Sequence, residues 1–462
     1  MTTSGQMPKT RPSATDRLYS WKPQDAPRSK LTPADLDGLP PGPTGSVGLQ
    51  TMRLWKRRDR YLPALHDRYG DIFTLRAEPA GVLVVVRDPD HIRQIFRGES
   101  DVFEAGRAQA MMVPMVGHKS VLALDGSEHE IQRKYMIRAL HTEQIQAVVA
   151  LVEELTERAV ADWPVGRVFP LLPRIETLSL DIMITALFGD VGEAGSRELA
   201  RAVRAIMEVR FFHLAMLLHP PMSRYWPWRR VIRELDYADT LIYRLITERR
   251  ANPAAARRSD ILSQLLAANP DDTSVRDGLV TLLTAGHQTS AIALTWTFER
   301  LLRHPDALAR VRDGLDDPRD PYRTAVVKEA LRVRPPLYTV ARRLAEPVEL
   351  AGYRLPAGVF VAPSIGGLHS DTEVWGPDAA AFRPERWLAP DVPQFAWIPF
   401  GGGDRRCLGA GFAQSEMETV LRVVLREVDL HPDRPSDEPA EMNNLLVVPK
   451  HGGRVRIPRR LA

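Results

Sequence analysis

The 462-residue chain carries one cysteine, Cys407, in the run Phe400-Gly-Gly-Gly-Asp-Arg-Arg-Cys-Leu-Gly409. A lone cysteine can form no internal disulfide and no multi-cysteine zinc or iron–sulfur centre. Its neighbours are glycines and arginines. Glycines let something large approach the backbone, and cations favour the thiolate over the thiol. An inert buried thiol is the ordinary alternative, and the flanking residues argue against it. Three further groupings stand out. Ala285-Gly-His-Gln-Thr-Ser290 places Gly and Thr inside an apolar helical stretch, at a cost in helix propensity. Lys328-Glu-Ala-Leu-Arg332 puts Glu329 and Arg332 on one helical face. His129-Glu-Ile-Gln-Arg133 does the same for His129 and Arg133, a pattern that on its own reads as a surface face.

Phe400, Gly403, Arg405, Cys407 and Gly409 match every fixed position of Phe-x-x-Gly-x-Arg-x-Cys-x-Gly. This is the haem-binding signature of the cytochrome P450 family, which the chain resembles from about residue 39 to its end. The resemblance implies haem b (iron protoporphyrin IX) with Cys407 as the iron ligand. A thiolate ligand donates electron density to iron and favours O–O cleavage. A helix over residues 407–428 would stabilise that thiolate through its free N–H groups and dipole. Residues 401–403 would form a tight loop against a flat cofactor. Phe400 would pack on the macrocycle, and Arg405 would pair with a propionate.

The other groupings acquire roles by the same resemblance. Ala285, Gly286 and Thr289 match the family's oxygen-side helix motif, and Gln288 stands where an acid is usual. The Thr289 hydroxyl can bond the Ala285 carbonyl four residues back and so help open a groove for dioxygen and water. Thr289 would hydrogen-bond dioxygen and help deliver protons. Gln288 can orient water but cannot ionise, and His287 reads as a satisfied core histidine. Glu329 and Arg332 would bond Arg386 of Phe382-Arg-Pro-Glu-Arg-Trp387, as a structural lock. His129 and Arg133 would reach a propionate. Arg342 would reach another, with Arg343 as the competing choice.

These residues need elements to hold them. A turn-rich stretch at 39–45 enters the folded part. A helix is predicted over 50–69, ending at Gly70. Strands follow at 72–76 and 82–87, joined by Pro79-Ala80-Gly81 as a hairpin. Residues 88–304 read as almost wholly helical. The longest helix, over 273–304, has a capping signal at Asp271 to Ser274 and a stop at Pro305. At 1.5 Å per residue it would run roughly 48 Å through the centre. Further helices are predicted at 321–333 and 407–428. Short strands are expected near 348–349, 353–355 and 359–362, and a tail hairpin joins 445–449 to 454–457. The fold class is mainly α with small β-sheets. The resemblance makes it the triangular haem-thiolate domain, with haem between the long helix and the helix after Cys407.

Composition narrows the rest. The hydrophobic fraction of 44% suits a globular core, and the net charge of +4 comes from dispersed cations. No basic stripe argues for nucleic acid. Residues 1–38 are rich in Ser, Thr, Pro and charge and read as disordered. Residues 39–462 read as one domain. No apolar run spans a membrane or forms a signal peptide, so a soluble cytoplasmic protein is expected. The aromatic and Arg-rich stretch from Phe211 to Trp228 would frame an entry channel or touch a membrane surface, unless it is core packing.

The resemblance implies a monooxygenase that uses O2 on a small lipophilic substrate. Electrons would come from a separate ferredoxin or flavodoxin with its reductase, docking near Arg133, Lys134, Arg138 and Arg406. A peroxide-driven enzyme is the alternative that Gln288 prompts, and a non-catalytic haem sensor is a third reading. Substrate-contacting segments by family position are 102–124 (with Met111, Met112 and Met115), 206–222, 279–289, 335–340 and 445–451.

Overall fold

The computed structural model describes residues 11–20, 31, 37–140, 143–207, 221, 224–226, 228–252, 258, 260–269, 271–389, 392–393 and 395–461. The helices that build the centre are α1 (Ala14–Ser20), α2 (Gly126–Ala139), α3 (Glu143–Ala161), α4 (Leu172–Phe188), α5 (Gly192–Met207), α6 (Trp228–Ala251), α7 (Asp272–Leu301), α8 (Pro321–Val333) and α9 (Ala410–Glu427). Helix α7 starts where the Asp271 carboxylate accepts the N–H groups of Thr273 and Ser274. It ends at Leu301, three residues short of the predicted stop, because the chain loosens before Pro305.

The apolar side chains of α7 divide between two clusters. Val275, Leu279, Val280 and Leu283 pack with α4, α5 and α6. Ala291, Leu294, Phe298 and Leu301 pack with α3, α8 and α9. Residues 284–290 between them contribute no large apolar side chain. The oxygen-side motif therefore occupies the gap between two halves of the core.

A five-stranded sheet stands at one edge: β1 (Ile72–Ala77), β2 (Gly81–Val86), β3 (Phe103–Glu104), β4 (Arg342–Leu344) and β5 (Phe360–Pro363). Its order is β1-β2-β5-β4-β3, with β2 and β5 parallel and the other pairs antiparallel. Strand β4 sets the two candidate arginines on opposite faces. Arg342 is buried, while Arg343 is only half-buried and pairs with Glu104 at 2.7 Å.

Three expectations are corrected. Residues 1–38 are not uniformly disordered: Ala14 and Leu18 of α1 are fully buried. Ser13 and Asp16 cap α1 reciprocally, and Arg17 pairs with Asp239 at 2.6 Å. Tertiary contacts thus override a polar composition; residues 1–10, 21–30 and 32–36 lie outside the described ones. The tail strands do not pair with each other. Leu446–Pro449 pairs with Ala440–Asn443, and Arg454–Arg456 pairs with Val168–Pro170 and His431–Pro432. Gly452 and Gly453 both take positive φ, and Gly453 packs so closely on Thr295 that a Cβ would sit 2.6 Å from its methyl. The turn therefore carries the chain away rather than back. Finally, the helix predicted over 50–69 is two, Val47–Lys56 and Arg58–Tyr69, divided at Arg57.

One carboxylate ties α8 to the segments before the cysteine loop. Glu329 is fully buried and accepts from Arg332 at 2.7 and 2.9 Å, Arg386 Nε at 3.0 Å, Trp387 Nε1 at 2.9 Å and the Arg383 N–H at 2.9 Å. Arg332 also donates to the carbonyls of His369, Ala379 and Ala381. Glu329→Gln would leave the buried Arg332 guanidinium without its counter-charge and Arg386 with only Asp378 at 3.5 Å. Unfolding in urea should show a loss of about 3–5 kcal/mol.

A second buried acid behaves differently. Glu416 of α9 accepts from Ser179 Oγ at 2.7 Å and lies against Ser290, and its Oε2 has no partner. Burial pushes it up to about 7, against the lowering effect of the two serines. The native state thus holds this proton more tightly than the unfolded chain. Stability is complete below the unfolded value and falls as pH rises toward 7 and through it. Glu416→Gln should stabilise the protein above about pH 7 by on the order of 3 kcal/mol, and by little near pH 4. A pH series of denaturation midpoints reads this.

Candidate active site

The cysteine loop is shaped by close approach. Gly403 takes φ 62°, and a Cβ there would sit 1.8 Å from the Phe96 carbonyl oxygen. A Cβ on Gly402 would strike the Phe96 ring at 2.4 Å. No other residue fits either position. The Cys407 N–H donates to the Phe400 carbonyl at 2.9 Å and closes the loop. Gly409 differs: its φ is −89° and a Cβ would meet nothing within 4 Å. Neither its backbone nor its neighbours require glycine, and open space adjoins its Cβ position.

Cys407 is exposed to that space. The helix after it begins at Ala410, with Gly409 as N-cap, so Cys407 precedes the first turn rather than opening it. Burial of the surrounding loop pushes the thiol up, while a Gly409 backbone hydrogen bond, Arg133 and Arg406 pull it down. The expectation that local cations and helix alone keep it ionised is thus corrected. Metal coordination deprotonates a thiol outright.

Three arginines and a histidine surround this region. His129 is buried and pushed down to about 3, first by burial and then by Arg405, Arg133 and Arg342. It is neutral at physiological pH and senses all three cations. Arg405 is committed: it donates to the Val121 carbonyl at 3.0 Å and pairs with Asp125 at 2.6 Å. Arg133 donates to the Arg406 carbonyl at 2.8 Å. Arg342 donates to its neighbour's carbonyl at 3.0 Å and lies 5.6 Å from the Phe96 ring centre. Burial, then Arg405, lowers Arg342 to about 10. Among the described residues neither Arg133 nor Arg342 has a carboxylate salt bridge. Arg133 acts on the exposed Cys407 and both arginines act on His129, an arrangement that fits a ligand carrying a thiophilic metal and two carboxylates.

The sequence motifs gave no sign of the brace behind Phe400. The Ile398 N–H donates to His369 Nε2 at 3.0 Å, so the ring proton sits on Nδ1. Burial and then Arg332 hold His369 down at about 3. Trp397 Nε1 donates to the Lys328 carbonyl at 3.2 Å. Ring contacts run from Trp387 to Trp397 at 5.3 Å and from Trp397 to Phe400 at 5.9 Å. Trp387, at the end of the Phe-Arg-Pro-Glu-Arg-Trp run, was the one available signal. Aromatic edges therefore join the Glu329 hub to the cysteine loop.

On α7, Ala285 is exposed, and Gly286, Gln288 and Thr289 are half-buried. Thr289 Oγ1 donates to the Ala285 carbonyl at 2.6 Å, which loosens the helix there. Gly286 backs onto Met183, whose Cε would lie 2.8 Å from a Cβ. His287 is buried, with Nδ1 2.7 Å from the Leu283 carbonyl, and burial lowers it. Segments 335–340 and 445–451 meet beside α7: the Val447 N–H donates to the Pro336 carbonyl, and Trp296 Nε1 donates to the Val447 carbonyl, both at 2.9 Å. Met111 and Met115 pack against the first core cluster. Most of 206–222, with the Phe211 and Phe212 aromatics, lies outside the described residues. Among the described residues no helix is long and apolar enough to cross a membrane.

The chain was compared with known families and structures. Residues 38–457 match the Cytochrome P450 family. Cytochrome P450 135B1 of Mycobacterium tuberculosis is 37% identical over 432 residues, covering 91% of each chain. Cytochrome P450 138 of the same organism is 37% identical over 433 residues, covering 91% of this chain and 97% of that one. The structure of retinoic acid bound cyanobacterial CYP120A1 superposes with a TM-score of 0.77 at 23% identity, covering 92% of this chain and 99% of that chain. The fold is that of this structure, and the chain belongs to the cytochrome P450 family of haem-dependent, oxygen-using monooxygenases.

Proposed function

We propose that the chain binds haem b through Cys407 and inserts one atom of dioxygen into a small lipophilic substrate, by hydroxylation or epoxidation. The observation that carries this is the exposed Cys407 beside the half-buried Arg133, with the buried Arg342 acting on the same His129, neither arginine having a carboxylate salt bridge among the described residues. Bound haem would supply the reductive activation of dioxygen. The residues do the rest. Cys407 donates electron density as thiolate. Arg133 and Arg342 hold the propionates, and His129 offers a neutral ring beside them. Arg405, tied to Asp125, keeps the 121–125 segment against the cysteine loop. Phe400 and Gly409 give the flat group a wall and clearance. Thr289 presents a hydroxyl whose proton already has an acceptor in the Ala285 carbonyl, so it can exchange partners at little cost. The peroxide-driven alternative rests on Gln288 alone, and the retained Thr289 hydroxyl favours the oxygen-dependent route.

Electrons would arrive at the cysteine side from a separate ferredoxin or flavodoxin and its reductase, in the cytoplasm. Lys134, Arg138 and Arg406 are exposed there, beside the exposed apolar Ile131 and Ile137. An apolar patch ringed by cations suits an acidic carrier.

Three measurements test the reading. Turnover under isotopically heavy dioxygen, with an acidic ferredoxin, should place one labelled oxygen in the product; label from solvent only would refute it. Arg133→Ala and Arg342→Ala should each weaken haem affinity by about 1.5–3 kcal/mol, roughly ten- to a hundredfold, while Arg343→Ala should leave it near wild type. Haem transfer to apomyoglobin reads these affinities. Reversing Lys134 and Arg406 to Glu should slow reduction by the carrier most strongly at low salt; unchanged rates would remove this face as the docking site.

A further inference from the structure

The polar opening segment is built into the side of the molecule that is expected to meet substrate. Residues 11–20 lie outside the stretch that matches the family, yet they are tied down along their length. The Ala14 N–H donates to Asp236 at 2.7 Å, and Ala14 and Leu18 enter the core cluster shared by α6 and the first half of α7. Arg11 lies 4.7 Å from the Tyr243 ring centre and donates to Thr247 Oγ1 at 3.0 Å. At the other end, Ser20 Oγ and His118 Nε2 stand 2.8 Å apart. The segment therefore crosses from α6 to the stretch 113–118. Met111 and Met115, just before and within that stretch, pack on the same core cluster.

Arg17 is the centre of the crossing. Its guanidinium is buried between Asp239 of α6, at 2.6 Å, and the Pro114 carbonyl, to which Nε donates at 3.3 Å. Asp239 is shared. Arg276 of α7 donates to it from Nε at 2.8 Å, and its other nitrogens donate to the Met115 and Val116 carbonyls at 3.2 and 3.1 Å. The last carbonyls of a helix have no partner within it. Here those of the short helix Val113–Val116 are held by two guanidinium groups gathered on one carboxylate. Beyond this helix the chain is pressed onto α7. A Cβ on Gly117 would sit 2.1 Å from the Asp277 carboxyl, the Lys119 N–H donates to Asp277 at 2.9 Å, and Ser120 Oγ lies 2.7 Å from Thr281 Oγ1. Thr281 is about one turn before Ala285. The residues that follow, 121–125, are the ones Arg405 holds against the cysteine loop.

We propose that residues 11–20 are a strap that holds 113–118 down on α7 and so sets which ligands pass to the oxygen side, with Arg17 as the positioning residue. The anchor is Arg276 with Asp239 and Asp277, which belongs to α6 and α7 and is paired without help from the strap. The strap adds the Pro114 and His118 contacts, and these must give when 113–118 lifts. A bulky ligand requires that lift and a small one does not. The proposal rests on the reading of Cys407 as a haem ligand, and the test separates the two.

Arg17→Met keeps an apolar stem in the core and removes the fork. In the haem protein, hydrogen exchange of peptides covering 113–120 should quicken about tenfold in this variant, with exchange across α9 unchanged. Stopped-flow binding of phenylimidazole to the ferric iron should quicken by a similar factor, while binding of the smaller imidazole changes by less than about twofold. Deletion of residues 1–20 should reproduce both effects, and it serves if Arg17→Met fails to fold. Wild-type exchange rates at 113–120 overturn the proposal, whatever ligand the iron carries. So does faster exchange with unchanged phenylimidazole entry, or faster exchange spread evenly over the whole chain, the mark of lost stability alone. A wild-type protein without the red-shifted Soret band of thiolate-ligated haem refutes the haem reading instead, and the exchange result still decides the strap.

Discussion

The carboxylate of Glu329 is the interaction on which the site depends. Five donors converge on its two oxygens, two from Arg332 on the same helix and three from the distant segment 383–387. A buried ion of this kind is costly to desolvate and is tolerable only when every lone pair is used. Here they are used, and the donors are rigid: two guanidinium groups, an indole and a backbone amide. The network therefore fixes where α8 stands relative to residues 369–387. The Trp387, Trp397 and Phe400 rings and the His369–Ile398 hydrogen bond then pass that position to the cysteine loop. Cys407 is placed by packing some distance from its own helix, which is why the loop can spend its conformational freedom on approaching Phe96.

Charge explains the other half of the site. Most buried cations in this chain have an acid: Arg276 is paired with Asp239 and Asp277, Arg17 with Asp239, and Arg405 with Asp125. Among the described residues Arg58, Arg323 and Arg342 have no carboxylate salt bridge, nor has the half-buried Arg133, and of these Arg133 stands beside the exposed Cys407. Burial depresses the neutral His129 first, and the three arginines add to it. What sets Arg133 and Arg342 apart is that both act on His129, and two cations without carboxylate partners there suit a dianionic ligand. The opposite side of the site follows from the interrupted apolar pattern of α7, where small and polar side chains separate two packed clusters.

Much of this was legible in the sequence. The bounds of α8 and the strand pairing of 72–86 followed from caps and alternation, and the long helix was misjudged only at its end. The Cys407 run was readable because Gly402 and Gly403 answer to close approaches of Phe96. Other features were hidden because they depend on distant partners. Nothing near Arg405 shows that Asp125 will claim it, and nothing in the polar opening segment shows that Leu18 has a core to enter. Alternation along β4 could have chosen Arg342 over Arg343 had the direction of the core been known.

The central claim is that this fold presents Cys407 as a thiolate ligand within a cradle of two free arginines. The absorption spectrum of the reduced protein under carbon monoxide tests it most directly. The account predicts the strongly red-shifted Soret band of a thiolate-ligated haem in the wild type, and its loss in Cys407→Ala with haem still bound. A wild-type protein that binds haem stoichiometrically but shows the unshifted band of a neutral ligand would contradict it.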